Sequence, residues 1–353
     1  MRRGGPFIVL VLLFLAAPTA RATYDPLGGG VTRLLLDKRF AAFLDQAGVR
    51  ISTEAGAARR GRVLVFPISG GRLEPTVGAG EIDQQGSLVL RSSRSRVRMR
   101  KLVVKTSHAP LVAKVGGSQL KVATSEMTGS RRDGFGTLFS ARKLRLTEKV
   151  VTRLNKKLRP WRPFSRGQVI GTLLSDPQPQ LTAILPTGKA TLVFDSAFVA
   201  KLDQHFVAVN PVFPAEHVGP TFTLPIVVAG ALAPDASKGT LRTGGQIEFL
   251  ELGAGQVFWR ELWFDIDLQS VLAEVDVEPT PAFPGKLGQV AALAFGTGTV
   301  TSEPAARRIS LVGAPLTLPA ETADVFNRAF AEGTNDFSSG ELIGTVSFVA
   351  QGQ

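Results

Sequence analysis

Cysteine is absent from the chain, which excludes a disulfide framework, a thiolate metal site, a cysteine nucleophile and a lipid-modified cysteine. Stability must therefore come from packing. Histidine is almost as scarce: His108, His205 and His217 are the only three, and no two of them stand at metal-site or zincin spacing. There is no Gly-x-Ser-x-Gly elbow, no phosphate loop and no dinucleotide fingerprint ahead of a helix. Asp265 and Asp267 fall two apart in an expected strand, and carboxylates so placed read as a solvated strand face rather than as an acid/base pair. With no assembled site, the chain is expected not to be an enzyme. Tyrosine occurs once, at Tyr24, and the cationic stripe has no aromatic interleaving, so nucleic acid is not the expected partner. Long unbroken runs of Val, Ile and Leu are scarce too, which favours open sheets buried on one face.

What is present begins with a leader. Met1-Arg2-Arg3, an apolar stretch from Phe7 to Ala17 and the small-x-small triplet Ala20-Arg21-Ala22 have the layout of a secretory signal. The stretch is shorter than the roughly 20 apolar residues that span a bilayer. Residues 1–22 are expected to be a signal peptide cut after Ala22, giving a secreted or cell-surface protein with no transmembrane anchor. At about 150 residues per domain, the remainder suits two domains.

A tandem duplication divides it. Val63-Leu64-Val65-Phe66-Pro67-Ile68, followed by Gly70-Gly71, Pro75 and Gly78-Ala79-Gly80, returns as Phe222-Thr223-Leu224-Pro225-Ile226 with Gly230, Pro234 and Gly239. Pro67 and Pro225 stand 158 residues apart, as do Phe40 and Phe198, and Leu44-Asp45-Gln46 and Leu202-Asp203-Gln204. Near the ends, Phe164-Ser165-Arg166-Gly167 and Phe337-Ser338-Ser339-Gly340 are 173 apart, so the second copy carries an insertion, placed at the Pro-rich stretch Glu278 to Gly288. Domain 1 is expected over 23–175, a Pro-containing linker over 176–188, and domain 2 over 189–353.

Each copy opens with a short strand, Thr32 to Leu36 or Thr191 to Phe194, after which Asp37 or Asp195 can cap a helix. Tyr24 to Gly30, with its Pro and three glycines, reads as a loose leader. Short β-branched runs separated by Gly or Pro follow, among them Ser87 to Arg91, Arg96 to Lys105, Leu111 to Val115 and Gln256 to Leu268. A second helix, Glu148 to Leu158 or Glu321 to Phe330, precedes the closing strand. The expected fold is all-β with a few short helices, in two tandem antiparallel β-sandwich-like domains. Trp259 and Trp263, four apart near Phe258 and Phe264, read as inter-sheet core.

The formal charge of +12 is uneven. Basic residues crowd Arg91 to Lys105 and Arg142 to Arg162, while the second copy carries eight acids from Glu248 to Glu278. In Arg94-Ser95-Arg96-Val97-Arg98-Met99-Arg100, strict alternation sends Arg94, Arg96, Arg98 and Arg100 to one strand face and Val97 and Met99 to the other. Arginine forks suit carboxylate or phosphate. The stripe therefore nominates an anionic cell-envelope polymer or a protein partner, against the plainer reading of a solvated outer face that prevents edge pairing.

The order of helix, Phe-Pro-Ile with Gly-Gly and Pro, Gly-Ala-Gly, a Gly-centred hairpin, then a helix with Asn followed by Phe-x-x-Gly-x-x-x-Gly-Thr resembles the haem-transport-associated (Htaa) domain of exported and cell-surface proteins. The likeness occurs twice, over about Thr32 to Ser175 and Lys189 to Val349. It implies antiparallel sheets with short helices, and haem as a candidate ligand held by a tyrosine with a supporting histidine. Here Phe43 and Lys201 stand at the tyrosine position, and Leu250 and Glu251 lie where the histidine is expected. His205 and His217 are the substitute iron ligands the sequence offers.

Overall fold

A computed structural model describes residues 24–107, 111–227, 230–251, 255–277, 285, 287–331 and 335–353. The expected signal peptide, His108 and most of the expected insertion lie outside the described residues. Local signals at the head of each copy are realised as read. The Asp37 carboxylate accepts the backbone N–H of Arg39 at 2.8 Å, and the helix Lys38–Gln46 buries Phe40, Phe43 and Leu44. Asp195 accepts the N–H of Ala197 at 2.8 Å at the start of Ser196–Gln204, which buries Phe198 and Leu202. Both carboxylates satisfy donors that the first helical turn leaves unpaired.

The strands are antiparallel throughout, and each copy forms one large sheet. These sheets are closed, where open ones were expected. In the first copy a ring runs through Arg96–Lys105, Gly80–Gln84, Val63–Leu73, Asp25–Leu36, Val169–Pro179, Gly136–Leu146, Ser118–Thr124 and Leu111–Val115, which pairs back onto Arg96–Lys105. In the second, Gly255–Asp265 and Ser270–Val277 close the equivalent ring. Closure pairs what would be exposed edges, which is how antiparallel architectures avoid unsatisfied backbone groups. The core fills the interior: Leu64, Ile82, Met99 and Val104 in one half, Phe222, Phe249, Trp259 and Phe264 in the other.

Three expectations change. The leader is strand: Asp25 and Pro26 pair with Leu73 and Arg72, and Gly29 and Gly30 with Gln178 and Pro177. Gly30 has φ 101°, and a Cβ there would lie 2.0 Å from the Asp176 carbonyl oxygen, so this glycine permits close pairing rather than marking a loop. The stretch 176–188 is likewise not a linker. Val169–Pro179 runs through its start and Thr182–Phe194 through its end. Finally, Trp259 is fully buried but Trp263 lies on the outer side under the Arg242 guanidinium, 4.9 Å from its ring centroid. A β-bulge separates them: Arg260 opposes Glu274 and Trp263 opposes Leu272, three steps against two, with Glu261 at φ 48°. One extra residue reverses the inward and outward alternation.

An asparagine clamp recurs at the end of each copy. Asn155, on the helix Glu148–Leu158, donates to the Phe164 carbonyl at 3.0 Å and accepts the Phe164 N–H at 2.8 Å. Asn327, on Ala320–Phe330, makes the same two bonds to Phe337, both 2.8 Å. The clamped phenylalanines reach the first helix: the Phe164 centroid is 5.3 Å from that of Phe43, and the Phe337 centroid 6.4 Å from that of Phe198.

The halves dock. Phe135, at the tip of the hairpin formed by Met127–Asp133 and Gly136–Leu146, packs in the second half's core. Arg132 donates to the Gln353 carbonyl at 2.5 Å, and Asp25 accepts from Thr182 Oγ1 at 3.3 Å and the Ala183 N–H at 3.2 Å. Burial pushes the Asp25 carboxyl above its ordinary 3.8, outweighing the Ala183 and Thr182 hydrogen bonds and nearby Arg132.

Two predictions follow from these contacts. Asn327→Ala leaves a buried N–H and C=O unpaired and should destabilise the second half by about 3 kcal/mol, read from the denaturant midpoint by the fluorescence of buried Trp259. The folded state binds the Asp25 proton more tightly than the unfolded chain, so this group's contribution is greatest at low pH and is lost as pH rises from 3.8 through the higher folded value. Asp25→Asn should remove that component from the melting temperature's dependence on pH.

Candidate functional site

The strand Arg96–Lys105 turns Val97, Met99, Leu102 and Val104 inward and leaves Arg96, Arg98 and Arg100 outside. The strand starts at Arg96, so Arg94 sits in the preceding turn, where Ser92 Oγ accepts its N–H at 3.4 Å. The stripe ends at a bulge. Arg100 opposes Lys114 and Val103 opposes Val112, with Lys101 at φ 48°, so Arg100 and Lys101 both point outward in succession. A non-glycine residue in this conformation costs about 1 kcal/mol, and bulges commonly aim side chains at sites.

Neighbouring elements add cations. Arg50, Arg91 and Arg96 are direct cross-strand partners over three adjacent strands, and all three are exposed. The helix Glu148–Leu158 brings Arg153 and Lys157 to the other side, and Arg153 is held there by donation to the Gly116 carbonyl at 3.1 Å. Arg96, Arg98, Arg100, Lys101, Lys114, Arg153 and Lys157 line one depression of about 650 Å³ that no acidic side chain lines. Among the described residues, Arg98 is the one member of the stripe with an ion-pair partner, Glu54. Like charges directly opposite across strands are destabilising, and a low-dielectric wall focuses their field on the depression.

The second copy supplies an internal comparison. Its matching strand has Arg260 opposite Glu274, opposite charges where the first copy has Arg100 and Lys114, and Glu261 where the first has Lys101. Arg260 also forms an ion pair with Asp276, Nε to Oδ2 2.9 Å. The shared backbone thus tolerates a neutralised face.

The remaining candidates are dispersed. His205 Nε2 lies 3.2 Å from Asp336 Oδ2. His217 stacks on Phe222, 4.1 Å between centroids, at the edge of a largely apolar cleft of about 480 Å³ with Phe194, Val199, Leu202 and Val209. In the first copy Arg59 takes the place of His217 and is tied to the Ile51 and Gly61 carbonyls. The positions where the family resemblance puts an iron-binding tyrosine do not fit haem iron. Phe43 is packed against Phe40 and Phe164, and the Lys201 ammonium is held by Glu341 and the Asp336 carbonyl. Asp265 ends the strand Gly255–Asp265 and accepts the Leu268 N–H, while Asp267 lies in the following turn and accepts the N–H of Gly239 on a neighbouring strand, both at 3.0 Å, so the two do not share a strand face. Among the described residues no group of three or more His, Asp or Glu side chains could hold a metal ion, and no helix is long and apolar enough to cross a membrane.

Alternation identified Arg96, Arg98 and Arg100; it could not identify Lys114, Arg153 or Lys157 as their neighbours. Reading Arg96 to Lys105 and Leu111 to Val115 as one hairpin would have brought Lys114 near Arg100, although the register depends on the bulge. The helix contribution is set by tertiary docking alone.

No protein-family model and no curated protein matches the chain. Among solved structures it is similar to the C-terminal domain of HtaA from Corynebacterium glutamicum, at 15% identity and a TM-score of 0.38 over 48% of this chain and 98% of that one. It is similar also to the N-terminal domain of the same protein, at 12% identity and a TM-score of 0.37 over 48% and 99%. A domain-swapped dimer of a histidine-to-alanine variant of the C-terminal domain matches at 13% identity and a TM-score of 0.34, over 44% of this chain and 92% of that one.

Proposed function

We propose that the chain is an exported, non-catalytic binding protein whose first half holds an anionic polymer of the cell envelope on the basic face of Arg96–Lys105. One observation carries this reading: cations stand directly opposite cations, Arg91 beside Arg96 and Arg100 beside Lys114, where the duplicate fold pairs Arg260 with Glu274. Such a face is destabilising in isolation and is relieved when an anion binds. Guanidinium forks at Arg96 and Arg100 suit carboxylate or phosphate oxygens, and the two faces' difference in charge gives the halves separate roles.

Polyphosphate binding measured against ionic strength tests the proposal. Affinity should fall steeply with salt, and replacing Arg96, Arg100 and Lys114 together by serine should weaken binding by at least about tenfold at low salt and flatten that dependence. Retention of the full chain on isolated cell envelope should fall in parallel. Equal binding by the triple variant would sink the reading.

Haem held by a non-family ligand is a second reading, and His217 at the edge of its apolar cleft is the observation that favours it. A saturable change in Soret absorbance on haemin titration, abolished by His217→Ala, is its expected signature.

A further inference from the structure

The basic depression opens into a second one. Lys101, Lys114 and Gly117 line both, and the second, about 620 Å³, is otherwise walled by Ser69, Asp83, Gln84, Leu102, Val103 and Gln119. Its chemistry differs from that of its neighbour, with a carboxylate, two amides and a hydroxyl beside the two lysines.

Gln84 is 6% exposed. Its Nε2 donates to the Ile82 carbonyl at 3.2 Å, while Oε1 has no hydrogen-bond partner among the described residues. A sheltered acceptor without a donor is unfavourable and calls for a physical reason. The second copy shows what a satisfied version looks like. There Thr243 takes the place of Gln84 and bonds the Leu262 carbonyl at 3.1 Å. Arg242 and Glu261 take the places of Asp83 and Lys101 with the charges exchanged, and they form an ion pair. In the first copy no ion pair joins Asp83 to Lys101, and both stand on the wall of the depression. Position by position, the second half pairs groups that the first half leaves unpaired with one another.

We infer that the two depressions form one site for an anionic saccharide, an inference that rests on the anion-binding reading above. The carboxylate or phosphate of the sugar lies among Arg96, Arg100 and Lys114. Its hydroxyl or amide groups meet Asp83, Gln84 and Gln119, and Lys101, turned outward by the bulge, stands between the two parts. Rotation about the soft terminal torsion of Gln84 exchanges the Nε2 bond to the Ile82 carbonyl for one in which Oε1 accepts from a hydroxyl or amide N–H of the sugar. A polyanion without sugars has acceptors alone; it leaves Gln84 Oε1 without a donor and sets its own charge against Asp83. A saccharide supplies donors and acceptors together. An apolar peptide side chain finds few partners in a depression whose apolar lining is Leu102 and Val103.

The test is calorimetric titration of the full chain with four probes. A hexamer of galacturonic acid and an oligomer of mannose 6-phosphate are the saccharides, one with carboxylates and one with phosphates; polyglutamate and polyphosphate are matched to them in charge. At least one saccharide should bind about tenfold tighter than its charge-matched partner, and which one does so identifies the anionic group. Gln84→Leu and Asp83→Asn should each erase that preference, Gln84→Leu by weakening the saccharide alone and Asp83→Asn also by strengthening polyphosphate, whose charge Asp83 opposes. Gln119→Ala, at an exposed position, gives the same readout if the buried variant does not fold. Equal affinity for saccharide and non-saccharide probes overturns the saccharide inference and leaves anion binding standing. Failure of all four probes to bind overturns both.

Discussion

Each half of this chain is closed by one clamping side-chain amide, buried at Asn327 and half-buried at Asn155. Asn155 and Asn327 bond both backbone groups of a phenylalanine nine or ten residues further on. A single side chain thereby fixes the path from the last helix into the last strand. Because Phe164 and Phe337 pack against the first helix of their copies, the clamp joins the beginning of the copy to its end. The final strand then lies between the first strand of its copy and the strand that precedes the last helix, which lets the sheet close. A bidentate amide is specific in geometry and costly to leave half-made, which accounts for its presence in both copies when so much of the surface differs.

Closure also decides which residues were free to diverge. Inside the rings, alternation is constrained: Val97, Met99 and Val104 fill the positions of Val257, Trp259 and Phe264, apolar in both halves. Outside, the same bulge presents Lys101 in one copy and Glu261 in the other, both at φ 48°. The backbone device is common to the two, and only the charge it displays has changed. An outer face can change sign without disturbing the core because exposed strand positions contribute little to packing.

Much of this was legible locally. Asp37 and Asp195 cap helices where their position ahead of an apolar helical face predicted, and Ser87–Arg91, Arg96–Lys105 and Leu111–Val115 begin and end at the expected residues. Composition at turns and strand alternation are short-range signals. The failures share a different cause. Tyr24 to Gly30 and 176–188 looked like loops because glycine and proline usually punctuate chains, yet all but Tyr24 and residues 180–181 sit in long strands whose pairing tolerates them through register shifts between Leu27 and Gly29 and between Leu185 and Lys189. Trp263 was assigned to the core because the bulge that turns it outward has glutamate, not glycine, at its positive-φ residue. Of the site, the three strand arginines were readable and the facing Lys114 and Arg153 were not, since strand register and helix docking bring residues together from distant parts of the sequence.

The junction between the halves bears on why the copies could specialise. Asp25 and Ala183 are equivalent residues, each near the start of its copy's first strand, and they meet directly. Close by, Gly134 at one hairpin tip approaches Pro304 in the corresponding turn of the other copy. Equivalent elements facing one another are what an isologous contact between identical units produces. A covalent duplicate that keeps such a contact holds its partner without depending on concentration. One copy is then able to carry an outer face that is electrostatically unfavourable, because the shared junction and two closed cores hold the chain together. In the second half the matching positions pair off as Arg242 with Glu261 and Arg260 with Asp276. Basic residues opposed on one half and neutralised on the other, at matching positions of one backbone, are therefore not a requirement of the fold.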